Sequence, residues 1–383
     1  MSKRTLDTFF KPAATPNSTK RAKPDSNDAP PSQPPDEDIG PPDTHPSYPI
    51  PIPQLPSHIS VSLTHGTPAK QPRAINNQPD LDLLYFQPYI TRPTANELFK
   101  FLRRELPFYR VKYTIKRGGI ETEINTPRYT TVFGVDETSK FSLTPTNDPP
   151  EDKDEDKDLL PHTTNPQTNS PPPPPATPLS SLTLIDTISK TPIRTTKYQY
   201  TPRPIPTCLA HLKNLVESAT GAHYNFCLVN YYSTGNDSIT FHSDDERFLG
   251  ANPDIASLSL GGEREFVMKH KPPPQGQSYT APATPATQST QSLKMPLSSG
   301  DMVVMRGPTQ SHWMHSIPKR KGRGGDAVRG RINITFRRAM VPAGTNNYYR
   351  YNVGEGPVWR WDEGRQEMVM MESGGGEKDG DGE

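Results

Sequence analysis

The chain has 383 residues, 47 of them proline, with 31% hydrophobic residues and a formal net charge of +1. That apolar share is below the roughly 45–50% (glycine included) of an ordinary globular chain, so a large part of the sequence cannot bury a core. Two cysteines, both in apolar surroundings, exclude a disulfide scaffold, and no stretch approaches the ~20 apolar residues of a membrane-spanning helix, so a soluble intracellular protein with free thiols is expected.

In chain order, residues 1–79 contain 17 prolines and three aromatics, Phe9, Phe10 and Tyr48. Such a segment cannot offset its ordering entropy and is expected to be a disordered tail. Within it, Leu6 precedes Phe9 and Phe10 by three and four positions. This spacing resembles the peptide by which proteins plug into the sliding clamp of replication machinery, with Lys3 where that pattern has Gln. The basic run Lys20-Arg21-Ala22-Lys23-Pro24 is a candidate import signal and predicts a nuclear protein.

Folded sequence is expected over 80–350. Thr94-Ala95-Asn96-Glu97 reads as a capping box ahead of Leu98, Phe101, Leu102 and Leu106 at helical spacing. Strands are predicted at Val111–Ile115 and Tyr129–Phe133. An acidic, proline-rich insertion then occupies about 137–192. A helix over Thr207–Thr220 buries Leu209, Leu212 and Val216 and stops at Gly221. Short strands follow at Tyr224–Tyr232, Ser238–His242, Ile255–Leu260, Glu265–Lys269, Asp301–Met305 and Arg331–Arg337. A second low-complexity insertion lies at about 272–295, and 351–383 is expected to be a mostly disordered tail. Many short strands between turn signals imply a mainly β domain with flanking helices, a barrel or jelly roll. Residues 181–350 carry 20 Lys and Arg against 11 Asp and Glu, a surplus of +9 that suits a phosphate-rich partner.

His242-Ser243-Asp244 sets two metal ligands at i and i+2, which on a strand face the same side. His315 is the best third candidate, and two histidines with one carboxylate leave one face of an octahedral iron(II) open. In the last strand, Arg331, Asn333, Thr335 and Arg337 share a face. If that face is solvent, the row is ordinary. If it is interior, the arginines need an anionic partner, and a dicarboxylate such as 2-oxoglutarate provides one through a guanidinium fork. Asn230 and Tyr232 alternate onto one face as further donors.

Four blocks in order carry a family resemblance: NFCLVNYYSTGNDSITFHSDDE, SLSLGGEREFVMKHK, LSSGDMVVMRGPTQSHWMHSIPKR and RGRINITFRR. Together they resemble the catalytic core of AlkB-type nucleic-acid dealkylating dioxygenases, in particular the eukaryotic nuclear homologues that repair DNA. The resemblance implies a double-stranded β-helix with an N-terminal nucleotide-recognition extension. It implies iron(II) held by His242, Asp244 and His315, with O2 and 2-oxoglutarate as cosubstrates. Asn230, Tyr232, Arg331, Asn333, Thr335 and Arg337 would bind 2-oxoglutarate, with Arg337 gripping the distal carboxylate. The implied function is repair of alkylated DNA bases such as 1-methyladenine and 3-methylcytosine. Asp245 and Arg128 would contact the substrate base and nucleotide. The aromatic pair that usually follows the Arg128 strand is displaced, and Tyr198 and Tyr200 are assigned to base stacking. Duplex-specific relatives carry an aromatic finger where this chain offers only Ile120, beside Lys116-Arg117, so single-stranded DNA or RNA stays open as substrate. Rival readings are an RNA demethylase with the same site, a protein-directed oxygenase, and a catalytically dead scaffold for nucleic acid or the clamp. A monomer is expected.

Overall fold

The structure, a computed structural model, describes residues 40–66, 71–143, 179–272, 292–320 and 330–371. The segments Lys3–Phe10 and Lys20–Pro24 lie outside the described residues.

The larger of two facing sheets has at its centre β9 (Phe226–Tyr232) and β16 (Arg331–Arg337), which pair antiparallel with every residue buried. On one side β16 is flanked by β11 (Ile255–Gly261), β14 (Met302–Met305), β2 (Leu83–Phe86) and β1 (Arg73–Ile75). On the other, β9 is followed by β6 (Tyr129–Gly134), β3 (Phe108–Tyr109), β17 (Val358–Asp362) and β18 (Glu367–Met370). The smaller sheet has the order β10 (Ile239–His242), β15 (Trp313–Ile317), β12 (Arg264–His270), β13 (Leu293–Leu297). This mostly β architecture is consistent with a jelly roll.

Side-chain alternation explains why a strand of polar and apolar residues is wholly buried. Ile332, Ile334 and Phe336 join Val229 and Tyr231 in a core that packs against three helices: α1 (Ser57–Gly66), α2 (Arg92–Glu105) and α3 (Thr207–Thr220). The opposite side of β9 and β16 faces the smaller sheet. There Leu228 and Tyr232 meet Phe266, Met268, Trp313 and Ile317 in a second core. Arg331, Asn333, Thr335 and Arg337 therefore point into the interior, the alternative that requires an anionic partner.

Helix α3 has the predicted bounds, and Gly221 ends it at φ +69, where a side chain would be strained. Both cysteines are buried and free. The capping box does not form. Helix α2 starts earlier with Pro93 in its first turn, and the Thr94 hydroxyl bonds Thr91 Oγ1 at 2.8 Å instead.

Two described stretches near the ends of the chain, 40–66 and 351–371, are ordered where composition implies a loose tail. In the proline-rich stretch 40–66, Tyr48, Ile52, Ile59 and Leu63 are buried in the helix-side core. The Tyr48 hydroxyl donates to the Pro204 carbonyl at 2.8 Å, and Asp43 accepts the Thr207 N–H at the start of α3. A strap that docks on a surface already formed needs few apolar residues of its own. Beyond residue 350, β17 pairs with β3 and β18 pairs with β17, so the expected C-terminal tail adds two strands to the larger sheet. The two insertions are closed by strand pairs. The first is closed by β7 (Ser139–Leu143) against β8 (Leu182–Asp186), the second by β12 against β13. Residues 144–178 and 273–291 lie outside the described residues.

Candidate active site

His242 ends β10 and His315 lies on the neighbouring β15, directly opposite it in register, with ring centroids 4.3 Å apart. Asp244 follows two residues after His242, and one ligand atom from each of the three lies within 4.8 Å of the others. The His242 Nδ1–H donates to the Thr240 carbonyl at 2.9 Å, which leaves Nε2 with its lone pair. Burial pushes His315 down to about 3, helped by the proximity of His242, so its imidazole is neutral at physiological pH. Burial opposes the ionised form of Asp244. The Arg337 guanidinium and the two histidines outweigh it and hold that carboxyl well below the carboxylate range. Two neutral imidazoles and one carboxylate on one side of a point are the donor set of a facial iron(II) site.

Three groups hold Asp244 in place. Arg337 donates to its Oδ2 through Nη2 at 2.8 Å and Nε at 3.3 Å. The Tyr348 hydroxyl donates to Oδ1 at 3.4 Å, and the Asp244 N–H donates to Gln310 Oε1 at 2.9 Å. Gln310 comes from the short α4 (Thr309–His312). Tyr348 comes from α5 (Asn346–Asn352), and Arg337 also sits over its ring at 5.2 Å.

The metal triad opens into a cavity of about 210 Å³. All six expected cosubstrate residues line it: Asn230, Tyr232, Arg331, Asn333, Thr335 and Arg337. Their hydrogen bonds differ in a way that matters. Arg337 is committed to Asp244. Asn333 Nδ2 donates to Ser257 Oγ at 2.9 Å, and the Thr335 hydroxyl donates to the Leu228 carbonyl at 3.1 Å. Arg331 is 1% exposed, yet only its Nη2 is satisfied, by Ser259 Oγ at 2.8 Å; its Nε and Nη1 are buried without a partner. Burial pulls its guanidinium down to about 10, with the Tyr232 phenol acting the other way. A buried cation with two open donors is costly unless an anion completes it, and a planar fork fits a carboxylate. These residues fit a dicarboxylate cosubstrate, and they single out Arg331, where the sequence pointed to Arg337.

The substrate-side expectations fare unevenly. Arg128 lines the cavity and donates through Nε to Asn230 Oδ1 at 2.7 Å. Ile120 stands 70% exposed at the tip of the hairpin of β4 (Lys112–Arg117) and β5 (Ile120–Asn125), after a Gly118-Gly119 turn with both φ positive. Asp245 is exposed, ion-paired with Lys271 and not among the lining residues. Its neighbour Glu246 does line the cavity, with its side chain exposed. Tyr198 is a packing residue: it is buried, and its hydroxyl bonds Asp136 at 2.7 Å and Ser139 at 2.8 Å. Tyr200 packs against the inter-sheet core, and neither tyrosine reaches the cavity. What the sequence reading missed is α5, which contributes Asn347, Tyr348, Tyr351 and Asn352 to the wall. Its signal was an NNYYRYN segment with three tyrosines in a stretch that otherwise reads as a polar linker.

Comparison with known proteins agrees with this chemistry. Residues 156–337 match the 2OG-Fe(II) oxygenase superfamily. The chain is similar to the alpha-ketoglutarate-dependent dioxygenase alkB homolog 3 of Bos taurus, 42% identical over 130 residues, which cover 34% of this chain and 41% of that protein. It is similar to the human DNA oxidative demethylase ALKBH2, 36% identical over 140 residues, covering 37% of this chain and 49% of that one. The Arabidopsis thaliana protein of the same name is 40% identical over 126 residues, covering 30% and 38%. The chain thus spans about two fifths to half the length of these curated relatives.

Proposed function

We propose that the chain, which matches the 2OG-Fe(II) oxygenase superfamily over residues 156–337 and is similar to alkB homologues, is an AlkB-type iron(II)- and 2-oxoglutarate-dependent dioxygenase that oxidatively removes alkyl groups from nucleic-acid bases, with methylated DNA as substrate. One observation carries the reading. A triad of two imidazoles and one carboxylate and a buried arginine with two open donors face the same cavity.

His242, Asp244 and His315 would hold the iron, and Arg337 and Tyr348 fix the Asp244 carboxylate through its two oxygens. Arg331, whose guanidinium lies over the Tyr232 ring, would take the distal carboxylate of 2-oxoglutarate, with Asn230 and Asn333 as further donors on the same cavity wall. When bound, iron, 2-oxoglutarate and O2 supply oxidation of an N-alkyl carbon, after which the hydroxylated group leaves as an aldehyde. Arg128 and Glu246 lie on the remaining wall, where Glu246 complements the positive charge of 1-methyladenine or 3-methylcytosine.

The fold in this reading is the double-stranded β-helix of the family, and the β4–β5 hairpin with Ile120 is the nucleotide-recognition extension. A base must leave its stack to enter such a cavity, and an alkylated base that cannot pair is less costly to extrude. Nuclear location and clamp contact, through Lys20–Pro24 and Lys3–Phe10, belong to the same proposal. Mass spectrometry of a single-stranded DNA oligomer carrying one 3-methylcytosine tests it. The methyl group should be lost only when iron(II), 2-oxoglutarate and O2 are all supplied. An oligomer that stays methylated under those conditions refutes the reading.

A further inference from the structure

The residues matched to the oxygenase family end at 337, but the cavity wall does not. Asn347, Tyr348, Tyr351 and Asn352 recur at the spacing of one helix face, and all four line the cavity. The other side of α5 is fixed to the body of the protein. The Tyr349 hydroxyl donates to the Gly134 carbonyl at 2.8 Å and accepts the Arg203 N–H at 2.9 Å, while Val353 is buried in the inter-sheet core. Thr130 of β6 donates to the Asn352 carbonyl at 2.8 Å. After the helix, β17 locks onto β3 through the pairs Val358↔Tyr109 and Trp359↔Phe108. This segment is a built wall.

Tyr348 is used at the metal end, where it meets Asp244. Tyr351, one turn on, is 37% exposed and lines the cavity where it opens. Its ring lies 5.0 Å from that of Tyr113, at 60°, and the Arg350 guanidinium sits 5.2 Å from its centroid. Tyr113 belongs to β4, which follows β3 in the chain, and α5 is followed by β17, which pairs with β3. Tyr113 packs against the inter-sheet core and does not line the cavity, whereas Tyr351, held beside it, leaves its ring exposed on the wall of a cavity whose buried end holds the His–Asp–His triad. A flat π-surface there suits a flat ligand, and a cationic aromatic ring gains further from the tyrosine face.

We propose that α5 forms the substrate wall of the cavity, with Tyr351, backed by Tyr113, stacking on the extruded alkylated base. This takes over the role that the sequence assigned to Tyr198 and Tyr200. It rests on the nucleic-acid reading above and names the residues that meet the base.

The test uses the full chain with iron(II) and 2-oxoglutarate under anaerobic conditions, so that binding is read without turnover. Two single-stranded oligomers are compared, identical except that one carries 3-methylcytosine and the other an abasic site at that position. Tyr351→Ala should weaken binding of the methylated oligomer by roughly ten- to a hundredfold, leave the abasic oligomer unchanged, and be rescued by Tyr351→Phe. Equal loss on both oligomers would assign Tyr351 to the backbone, and no loss on either would remove it from the site; each overturns the proposal. Failure of the wild-type protein to demethylate in air would instead overturn the functional reading beneath it.

Discussion

The buried end of the cavity and its opening are made from different kinds of sequence. The buried end comes from β9, β10, β15 and β16, where strand alternation and cross-strand register place His242, His315, Arg331 and Arg337 together. The opening comes from Arg128 ahead of β6, Glu246 in the loop after β10, and α5, beyond the matched family region. Strand pairing sets position to within one register step, so an end made of adjacent strands has little freedom to vary. An opening assembled from a loop and an added helix can change without disturbing the metal. The comparison predicts that substitutions at the buried end abolish or cripple chemistry, while those at the opening shift substrate preference.

The largest effect is expected for Asp244→Ala, which removes a metal ligand and leaves Arg337 buried without its partner. Turnover should be lost, with iron binding, and the fold destabilised by about 3–5 kcal/mol, as read by denaturant melts beside aldehyde release. Normal turnover from this variant would mean that the metal sits elsewhere.

The two arginines of β16 sharpen the contrast within the buried end. Arg331→Lys should raise the KM for 2-oxoglutarate by roughly ten- to a hundredfold, because a lysine cannot offer the fork. Arg337→Lys should act mainly through Asp244, lowering iron affinity and melting temperature with a smaller change in that KM. The reverse ordering would return the distal carboxylate to Arg337.

A smaller effect is expected for Tyr348→Phe, which deletes one long hydrogen bond to the ligand carboxylate. Iron affinity should fall only about threefold, and a change in oligomer affinity without one in iron affinity would place Tyr348 with the substrate wall instead.

The smallest belongs to Ile120→Ala at the hairpin tip. On single strands the rate should change by less than about twofold, since no vacated stack needs filling. Wild-type protein should process methylated single strands at least as fast as duplex at one fixed salt concentration. A strong duplex preference that survives Ile120→Ala would show that another residue fills the stack.

The same division governs what was legible in the sequence. Arg331, Asn333, Thr335 and Arg337 are set on one face by a period of two, and the structure places that face inside, as the alternation allows. Spacing says which residues share a face, not which partner each one has, and so it could not separate Arg331 from Arg337. Tyr198 and Tyr200 show the limit more sharply: the i, i+2 form held, but the Tyr198 phenol is taken by Asp136 and Ser139. Helix α5 is seven residues long, too short for a periodic apolar signal, and its side chains acquire meaning only from β6, β9 and the Asp244 loop around it. Residues 40–66 failed for a related reason, because composition counts apolar residues and cannot see that Tyr48, Ile52, Ile59 and Leu63 all dock on a core made by others.

If this cavity couples 2-oxoglutarate consumption to removal of an alkyl group from a base, the products of the two must appear together. Measuring succinate and formaldehyde together, on a single-stranded oligomer with one 3-methylcytosine, tests it most directly. The two should be released in equal amounts, and both should depend on iron(II). Succinate formation that the methylated oligomer does not stimulate, with no formaldehyde released, would contradict the coupling and point to a substrate other than a nucleic-acid base.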